Sequence, residues 1–248
     1  MTKSIDLNAD LGEGCAFDAE LMTVVSSCNI ACGGHAGDAA SMHTALSLAK
    51  AHGVSAGAHP SFPDRENFGR AKSDLVGAPL ETALRDQVQG LKDIADALDV
   101  PLTHLKPHGA LYNMAARDAA LSQSIISVLK EVLPGARLVG PPASQTEALA
   151  NRSGVAYIAE GFADRAYEDD GQLRDRRKEG AVLPEGAPQM KQALEIATSE
   201  RVTTHTGSQI ALPVRSICVH GDTPGAFESA QQIKASLLDH GLSICPPD

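Results

Sequence analysis

The chain has 248 residues, of which 43% are hydrophobic and 21% are charged, and this balance is typical of a globular protein and excludes a disordered or fibrous one. It contains 21 basic and 31 acidic side chains, so its formal net charge is −10. That charge argues against nucleic acids and anionic membranes as partners, because their phosphates would be repelled at long range.

The cysteine pattern indicates free thiols. Five cysteines are scattered along the chain without a CxxC pair, and an odd number does not suit a disulfide framework. The first residues contain no apolar signal segment, and no apolar run approaches the length of a membrane span. We therefore expect a soluble protein of the cytoplasm.

Strand-like and helix-like segments alternate along the whole chain. The predicted strands are Ser4–Asp10, Ser26–Cys32, Val54–His59, Leu102–Lys106, Arg137–Gly140, Val155–Glu160 and Ser216–His220. The predicted helices are Ala40–Ala51, Pro79–Leu98, Ala119–Leu133, Ser144–Asn151, Pro188–Ser199 and Gly225–His240. About seven strand–helix units predict an α/β protein with a parallel sheet or barrel covered by helices. No linker divides the chain, so we expect one domain over residues 1–248.

One segment departs from this alternation. Residues 162–184 are polar, charged and turn-rich, with Asp170-Gly171 near their middle. A long irregular segment inside a compact domain is usually functional or mobile. We expect it to form an excursion, such as a hairpin, on one rim of the barrel.

Ionisable residues, flanked by Gly or Pro, follow six of the seven predicted strands. In an α/β barrel the carboxyl ends of the strands face one mouth, where the active site lies. The sequence therefore predicts a ligand site at this rim. Its candidate residues are Asp10, Glu13, His35, His59, Lys106, His108, Glu160, Asp164, Arg165, His220 and Asp222.

Several of these residues have a structural alternative. Asp10 and Glu13 suit a metal-binding or acid/base pair, but also a turn or cap. Lys106 is costly to bury alone, so it either binds an oxyanion or phosphate or forms an ion pair, for which Glu160 is a candidate. Asp164 and Arg165 could form a local salt bridge.

The familiar catalytic signatures are absent. The sequence contains no GxxxxGK[ST], no complete GxGxxG, no HExxH and no GxSxG. It therefore shows no recognisable nucleotide site, zincin helix or nucleophile elbow. A mouth rich in histidine and carboxylate without a nucleophile motif favours the activation of water, with or without a metal.

Six strings carry a resemblance to a known family: DLNADLGEG, NIACGGHAGD, GAHPSFPD followed by FGR, KPHGALYN, EGFADRAYEDDG and ICVHGDTPGA. In this order, and over nearly the whole chain, they resemble the LamB/YcsF family, the A subunits of prokaryotic 5-oxoprolinase. The resemblance implies an irregular (β/α) barrel related to metal-dependent polysaccharide deacetylases. It also implies an ATP-dependent opening of 5-oxo-L-proline to L-glutamate, carried out with two partner subunits.

By this resemblance, the family's strand-end residues correspond to the candidate residues above. On this basis we expect catalytic roles for Asp10, Glu13, His35, His59 and His108. Substrate binding is expected from Lys106, Glu160, Asp164, Arg165, His220 and Asp222. ATP with magnesium would act through the partners, and a divalent metal in the mouth would have Asp10, His35 and His59 as candidate ligands.

Two departures from the family pattern stand out. Gly34 replaces an aromatic residue that usually precedes the second-strand histidine, a change expected to widen the pocket. The segment RDRRKEG, at 174–180, is more basic than expected, which bears on the contacts of a lid or on a partner surface.

Two rival functions stay open from the sequence. One is a stand-alone metal-dependent amidase or deacetylase, for which Asp10, His35 and His59 would form an open three-ligand site. The other is a non-enzymatic protein of the complex that binds a lactam.

Overall fold

A computed structural model describes residues 3–247. Its strands are β1 Ser4–Leu11, β2 Ser27–Ala31, β3 Ser55–His59, β4 Leu102–Leu105, β5 Arg137–Gly140, β6 Tyr157–Phe162, β7 Arg201–Thr203, β8 Gln209–Ala211, β9 Ser216–Val219 and β10 Ser243–Ile244. Its helices are α1 Asp18–Leu21, α2 Ala39–His52, α3 Gly77–Ala97, α4 Gly109–Ala115, α5 Ala119–Val132, α6 Gln145–Arg152, α7 Ala187–Ser199 and α8 Ala226–Asp239.

Seven parallel strands close into a barrel. Their order is β1-β2-β3-β4-β5-β6-β9, and β9 pairs back with β1 through Asp6↔Ser216 and Ala9↔Val219. The short β10 adds to the start of β1, where Ser4 pairs with Ser243. The predicted α/β barrel is thus confirmed, whereas the assignment of residues 1–248 to one domain stays a prediction.

The predicted elements match the observed ones to within two residues at each end. Five short elements were not predicted: α1, α4, β7, β8 and β10. They are too short to show a hydrophobic period of their own.

Local sequence explains the boundaries of the covering helices. Asp38 begins α2 as an N-cap, accepting a hydrogen bond from the Ser41 amide while the Ser41 hydroxyl accepts one from the Asp38 amide. Helix α3 turns Leu84, Val88 and Leu91 inward against the sheet. A capped start and a single apolar face fix these helices to the outside of the barrel.

The polar excursion after β6 contains no helix or named strand before α7. Two isolated antiparallel bridges, Arg165↔Val182 and Tyr167↔Leu173, fold it back on itself. It is followed by α7 and by the β7–β8 hairpin. Within residues 3–247, no helix has both the length and the apolar character needed to cross a membrane.

Candidate functional site at the barrel mouth

The barrel brings the predicted strand-end residues to one mouth. Asp10 and Glu160 lie inside β1 and β6, and His59 ends β3. The remaining candidates occupy the loops that follow β1, β2, β4, β6 and β9: Glu13, His35, Lys106, His108, Asp164, Arg165, His220 and Asp222. Most of these side chains are buried, so their charges interact in a setting of low dielectric constant.

Lys106 lies at the base of the mouth between two carboxylates. Its Nζ is 2.9 Å from Asp10 Oδ1 and 2.8 Å from Glu160 Oε1, and the side chain is 2% exposed. Burial lowers the pKa of Lys106, but Asp10 and Glu160, together with Cys218, outweigh it and hold the pKa well above its ordinary value. Of the two alternatives for Lys106, the structure therefore displays the ion pair.

The pKa values of the two carboxyl groups beside Lys106 are shifted in opposite directions. Burial raises the pKa of Asp10, but His59 and Lys106 lower it by more, so it lies well below the ordinary value. Burial raises the pKa of Glu160, and Lys106 offsets this only in part. Asp10 is consequently the more acidic of the two carboxyl groups.

Glu13 and three histidines form a second cluster above the lysine. Glu13 Oε1 lies 2.9 Å from His35 Nε2, 3.4 Å from His108 Nδ1 and 3.8 Å from His59 Nε2. The His35 and His108 rings are stacked, with centroids 3.6 Å apart. All three imidazoles thus direct a nitrogen towards one carboxylate.

Backbone carbonyls determine the tautomers of two of these rings. His59 Nδ1 lies 2.8 Å from the Lys106 carbonyl, and His108 Nε2 lies 3.0 Å from the Phe68 carbonyl. Because a carbonyl only accepts, each of these nitrogens carries the hydrogen. The other nitrogens, His59 Nε2 and His108 Nδ1, then present lone pairs to each other across 2.9 Å. Such an arrangement needs a proton or a cation between them.

This cluster fits a divalent metal ion. The ligand atoms of Glu13, His35, His59 and His108 all lie within 4.8 Å of one another. Burial lowers the pKa of His35 and holds that of His108 well below its ordinary value, so both remain neutral imidazoles, the form that binds metals. Histidines whose second nitrogen donates to a carbonyl are also typical of metal sites.

The predicted metal ligands Asp10, His35 and His59 divide between two groups. His35 and His59 belong to the cluster above, whereas Asp10 groups with Cys218 and His220. Burial holds the pKa of the Cys218 thiol well above its ordinary value, so it is not a thiolate at neutral pH. The second group is accordingly the poorer metal site.

His220 and Asp164 form a largely buried pair next to Asp10. His220 Nδ1 is 2.6 Å from Asp164 Oδ2, and His220 Nε2 is 3.7 Å from Asp10 Oδ2. Burial lowers the pKa of His220, but the charge and hydrogen bond of Asp164, together with the charge of Asp10, outweigh it and the net shift is upward. His220 therefore holds a proton more tightly than a free imidazole does.

Arg165 and Asp222 have partners other than those first considered. Arg165 donates to the carbonyls of Ala181 and Arg174, across the excursion, and among the described residues it forms no salt bridge with Asp164. Asp222 instead accepts from Arg176 at 2.7 Å and lies 3.4 Å from Arg70.

The expected widening of the pocket at Gly34 is wrong. A Cβ at Gly34 would collide with the side chains of Gln87 and Ser61, so these two residues fill the space beside it. Gln87 accepts from the Ser61 amide and donates to the Ser61 carbonyl, which fixes the filling group in place.

Sequence reasoning missed several residues of the mouth. Phe68 packs edge-on against the rings of His35 and His108, and Arg70 stacks on Phe68 with its guanidinium carbon 4.8 Å from the ring centre. Tyr112 is buried, and its hydroxyl and Glu160 Oε2 have no hydrogen-bond partner in the structure. The FGR string contains Phe68 and Arg70, but only the three-dimensional fold places them at the mouth.

The fold and the site define an α/β barrel protein with a buried mouth of carboxylates and imidazoles. The LamB/YcsF family model matches residues 5–248, and the chain belongs to this family. A protein of Histophilus somni (strain 129Pt), named as the A subunit of 5-oxoprolinase, is 42% identical over 242 residues, which cover 98% of both chains.

Solved structures agree with this placement. A lactam utilization protein from Thermus thermophilus superposes with a TM-score of 0.90 at 35% identity, over 98% of this chain and 99% of that one. The T48 deacetylase superposes with a TM-score of 0.53 at 15% identity, over 98% and 87%. The second likeness concerns the fold alone.

Proposed function

We propose that this chain is the A subunit of an ATP-dependent 5-oxoprolinase and opens the lactam of 5-oxo-L-proline together with two partner subunits. The relatives whose names refer to 5-oxoprolinase and to lactam utilization support the proposal. In the overall reaction, 5-oxo-L-proline, ATP and two water molecules give L-glutamate, ADP and phosphate.

The chemistry of the reaction indicates which step each subunit would carry out. An unstrained five-membered lactam is a stable amide, and transfer of a phosphoryl group from ATP to its oxygen activates the ring carbon. One water then adds to that carbon, the C–N bond breaks as the nitrogen takes up a proton, and a second water cleaves the resulting acyl phosphate to glutamate and phosphate. This chain has no recognisable nucleotide motif, so the partners would bind ATP with magnesium and carry out that transfer. The mouth would then bind the activated lactam while water attacks the ring carbon.

The observation that carries the proposal is the opposed acidity of two groups facing one space. The pKa of Asp10 is shifted down by its neighbours, whereas the pKa of His220 is shifted up, and His220 Nε2 lies 3.7 Å from Asp10 Oδ2. Titratable groups whose environments separate their pKa values suit the roles of base and acid. We assign proton abstraction from water to Asp10 or Glu13 and proton donation to the ring nitrogen to His220.

Lys106 positions this machinery rather than contacting the substrate. Its ammonium group is occupied by Asp10 and Glu160, and it also donates to Cys218 Sγ at 3.1 Å. It therefore orients the Asp10 carboxylate, while Asp164 orients His220. Glu160 Oε2 has no hydrogen-bond partner among residues 3–247 and so remains available as an acceptor.

A second candidate function is that of a stand-alone metal-dependent amidase. In that case a divalent cation would bind in the cluster of Glu13, His35, His59 and His108. The lone pairs that face each other across 2.9 Å are the specific observation behind it. When bound, the metal would polarise a carbonyl oxygen and lower the pKa of a bound water. The protein's own part would be to keep the histidines neutral and Glu13 directed at the same point.

The deciding experiment measures glutamate release from 5-oxo-L-proline with Mg-ATP, using this chain alone and with the products of its neighbouring genes. Glutamate that forms only with the partners supports the three-subunit lactamase. Amide hydrolysis by the chain alone, lost with a chelator, supports the metal amidase instead. Binding of 5-oxo-L-proline without turnover under either condition leaves the non-enzymatic lactam-binding role.

A further inference from the structure

Three arginines converge on the rim of the mouth, and the proposed mechanism uses none of them directly. Arg70 follows the loop that packs on the histidine cluster, and Arg165 follows Asp164. Arg176 comes from the basic segment 174–180 that departs from the family pattern. The excursion and the loop after β3 thus each bring guanidinium groups to one place.

The charges at this rim are unbalanced. Asp222 is the one carboxylate, among residues 3–247, within salt-bridge distance of Arg70 or Arg176, and both contact the same oxygen, Oδ2. Arg165 makes its hydrogen bonds to backbone carbonyls. Burial lowers the pKa of Arg70 and of Arg165, and the charge of Arg176 lowers both further. Arg70 and Arg176 therefore share a single carboxylate partner, with Arg165 nearby as a third cation.

The same residues remain accessible to a ligand. The side chains of Arg70, Arg176 and Asp222 are 42%, 27% and 30% exposed. The Arg70–Asp222 contact of 3.4 Å is long for a charged hydrogen bond, so the bridge is loose on one side. An incoming anion could take the place of the carboxylate on Arg70 without breaking a tight pair, whereas on Arg176 it would displace the 2.7 Å contact with Asp222.

The base of the mouth cannot bind such an anion as it stands. The Lys106 ammonium is already shared between Asp10 and Glu160. Asp10, Glu13 and Glu160 add negative charge around it. A ligand with an anionic end and an amide end is consequently best oriented with its anion at the rim and its amide at the base.

We propose that Arg70 and Arg176 form the subsite for an oxyanion of the substrate, a carboxylate or a phosphate, which replaces Asp222 between the two guanidinium groups. The forked guanidinium suits both anions, since it offers paired N–H donors to two oxygens. This inference rests on the proposed function and deepens it. The carboxylate belongs to 5-oxo-L-proline, whereas the phosphate would belong to its activated form.

The test measures binding by calorimetry to the full chain, with 5-oxo-L-proline, the uncharged lactam 2-pyrrolidinone and inorganic phosphate as probes. The variants are Arg70→Gln and Arg176→Gln. Arg177→Gln is the matched control, because Arg177 lies next to Arg176 in the chain but is 86% exposed and paired with Asp175. Thermal unfolding of each variant verifies that it is folded.

Loss of a charge-assisted contact is expected to weaken the binding of 5-oxo-L-proline about 10- to 100-fold in either variant and not in the control. The binding of 2-pyrrolidinone should not change. If phosphate rather than 5-oxo-L-proline loses affinity, the subsite belongs to the phosphoryl group of the activated lactam. Equal affinities of both anions for wild type and variants, or no binding of either anion to wild type, would overturn the proposal.

The two proposals fail in different ways. Anion binding that depends on Arg70 and Arg176, with no glutamate from the assembled complex, would support the proposed subsite and contradict the proposed function. Glutamate formed by both variants with an unchanged KM for 5-oxo-L-proline would remove the subsite and leave the function standing.

Discussion

The barrel interior contains two polar layers that differ in how completely their groups are paired. In the lower layer, the Asp6 carboxylate accepts from the hydroxyls of Ser26, Ser27 and Ser216, and Asn29 links Asn8 to His104. In the upper layer, His59 Nε2 and His108 Nδ1 face each other across 2.9 Å, and within residues 3–247 atoms of His35, Glu160 and Asp164 have no hydrogen-bond partner. Buried polar groups are normally satisfied, so the upper layer is where we expect a ligand.

Alternation along one strand builds both layers. Asp6, Asn8 and Asp10 are every second residue of β1 and face the inside of the barrel, where they are buried. Asn8 joins the layers, because its Nδ2 donates to Ser216 Oγ and to Glu160 Oε1. The same alternation of inward-facing polar residues therefore has a structural role at one end of β1 and a proposed catalytic role at the other.

The largest expected effect is on turnover in the upper layer. Glu13→Gln removes the carboxylate at the centre of the histidine cluster, and we expect glutamate release by the assembled complex to fall about 10²–10⁴-fold. Glu20→Gln, on the exposed face of α1, is the control. Unchanged turnover in the Glu13 variant would exclude this carboxylate from the chemistry.

Lys106→Met tests the boundary between the layers. Removing one partner of a buried ion pair leaves uncompensated charge, so the free energy of unfolding should fall by about 3–5 kcal/mol. Urea unfolding measures it, with Lys130→Met as an exposed control expected to change little. A loss below about 1 kcal/mol would mean that Lys106 is not the structural centre of this network.

A divalent cation should stabilise the upper layer and not the lower one. At a hundredfold excess over Kd, binding adds about 2.7 kcal/mol. For a chain of this size that corresponds to a Tm increase of roughly 5–10 °C. We expect this increase for wild type and His43→Asn, whose histidine is exposed, and its loss in His108→Asn. Metal content after purification gives an independent readout. An equal increase in both variants would place the ion elsewhere.

His104 in the lower layer predicts a smaller, pH-dependent effect. Burial lowers its pKa from 6.5 to about 3. A depressed folded-state pKa means that the unfolded chain binds the proton first, so stability from this group is complete above about pH 6.5 and declines towards pH 3. At pH 5 the loss is about 2 kcal/mol.

The His104→Gln variant should show a correspondingly flatter dependence of unfolding free energy on pH between 7 and 5. His52→Gln, at the exposed end of α2, serves as the control and should keep the wild-type slope. Equal slopes for the His104 variant and wild type would show that another buried group governs acid sensitivity.

The ends of the strands and the apolar faces of the helices could be predicted from the sequence, because they depend on the local alternation of apolar and polar residues and on short turns. The position of each candidate at one mouth followed from the barrel alone. What Lys106 binds did not follow, because Asp10 and Glu160 are 96 and 54 positions away in the chain and meet it only inside the closed barrel.

The rim was the least predictable part. Arg176 reaches Asp222 from an excursion without regular structure, and Arg70 is placed by packing of Phe68 on two imidazoles. No periodicity signals either contact. The tautomers of His59 and His108 likewise depend on carbonyls of other loops. These features carry the proposed chemistry and are products of tertiary structure.

The arginine rim also affects how quickly an anion arrives. The molecule carries a formal charge of −10, so it repels an anionic substrate at distances where the rim is one small patch of opposite sign. Salt screens charges beyond about 8 Å at physiological ionic strength, whereas close contacts are screened less. Association should therefore accelerate as salt is first added, while the lifetime of the bound anion shortens.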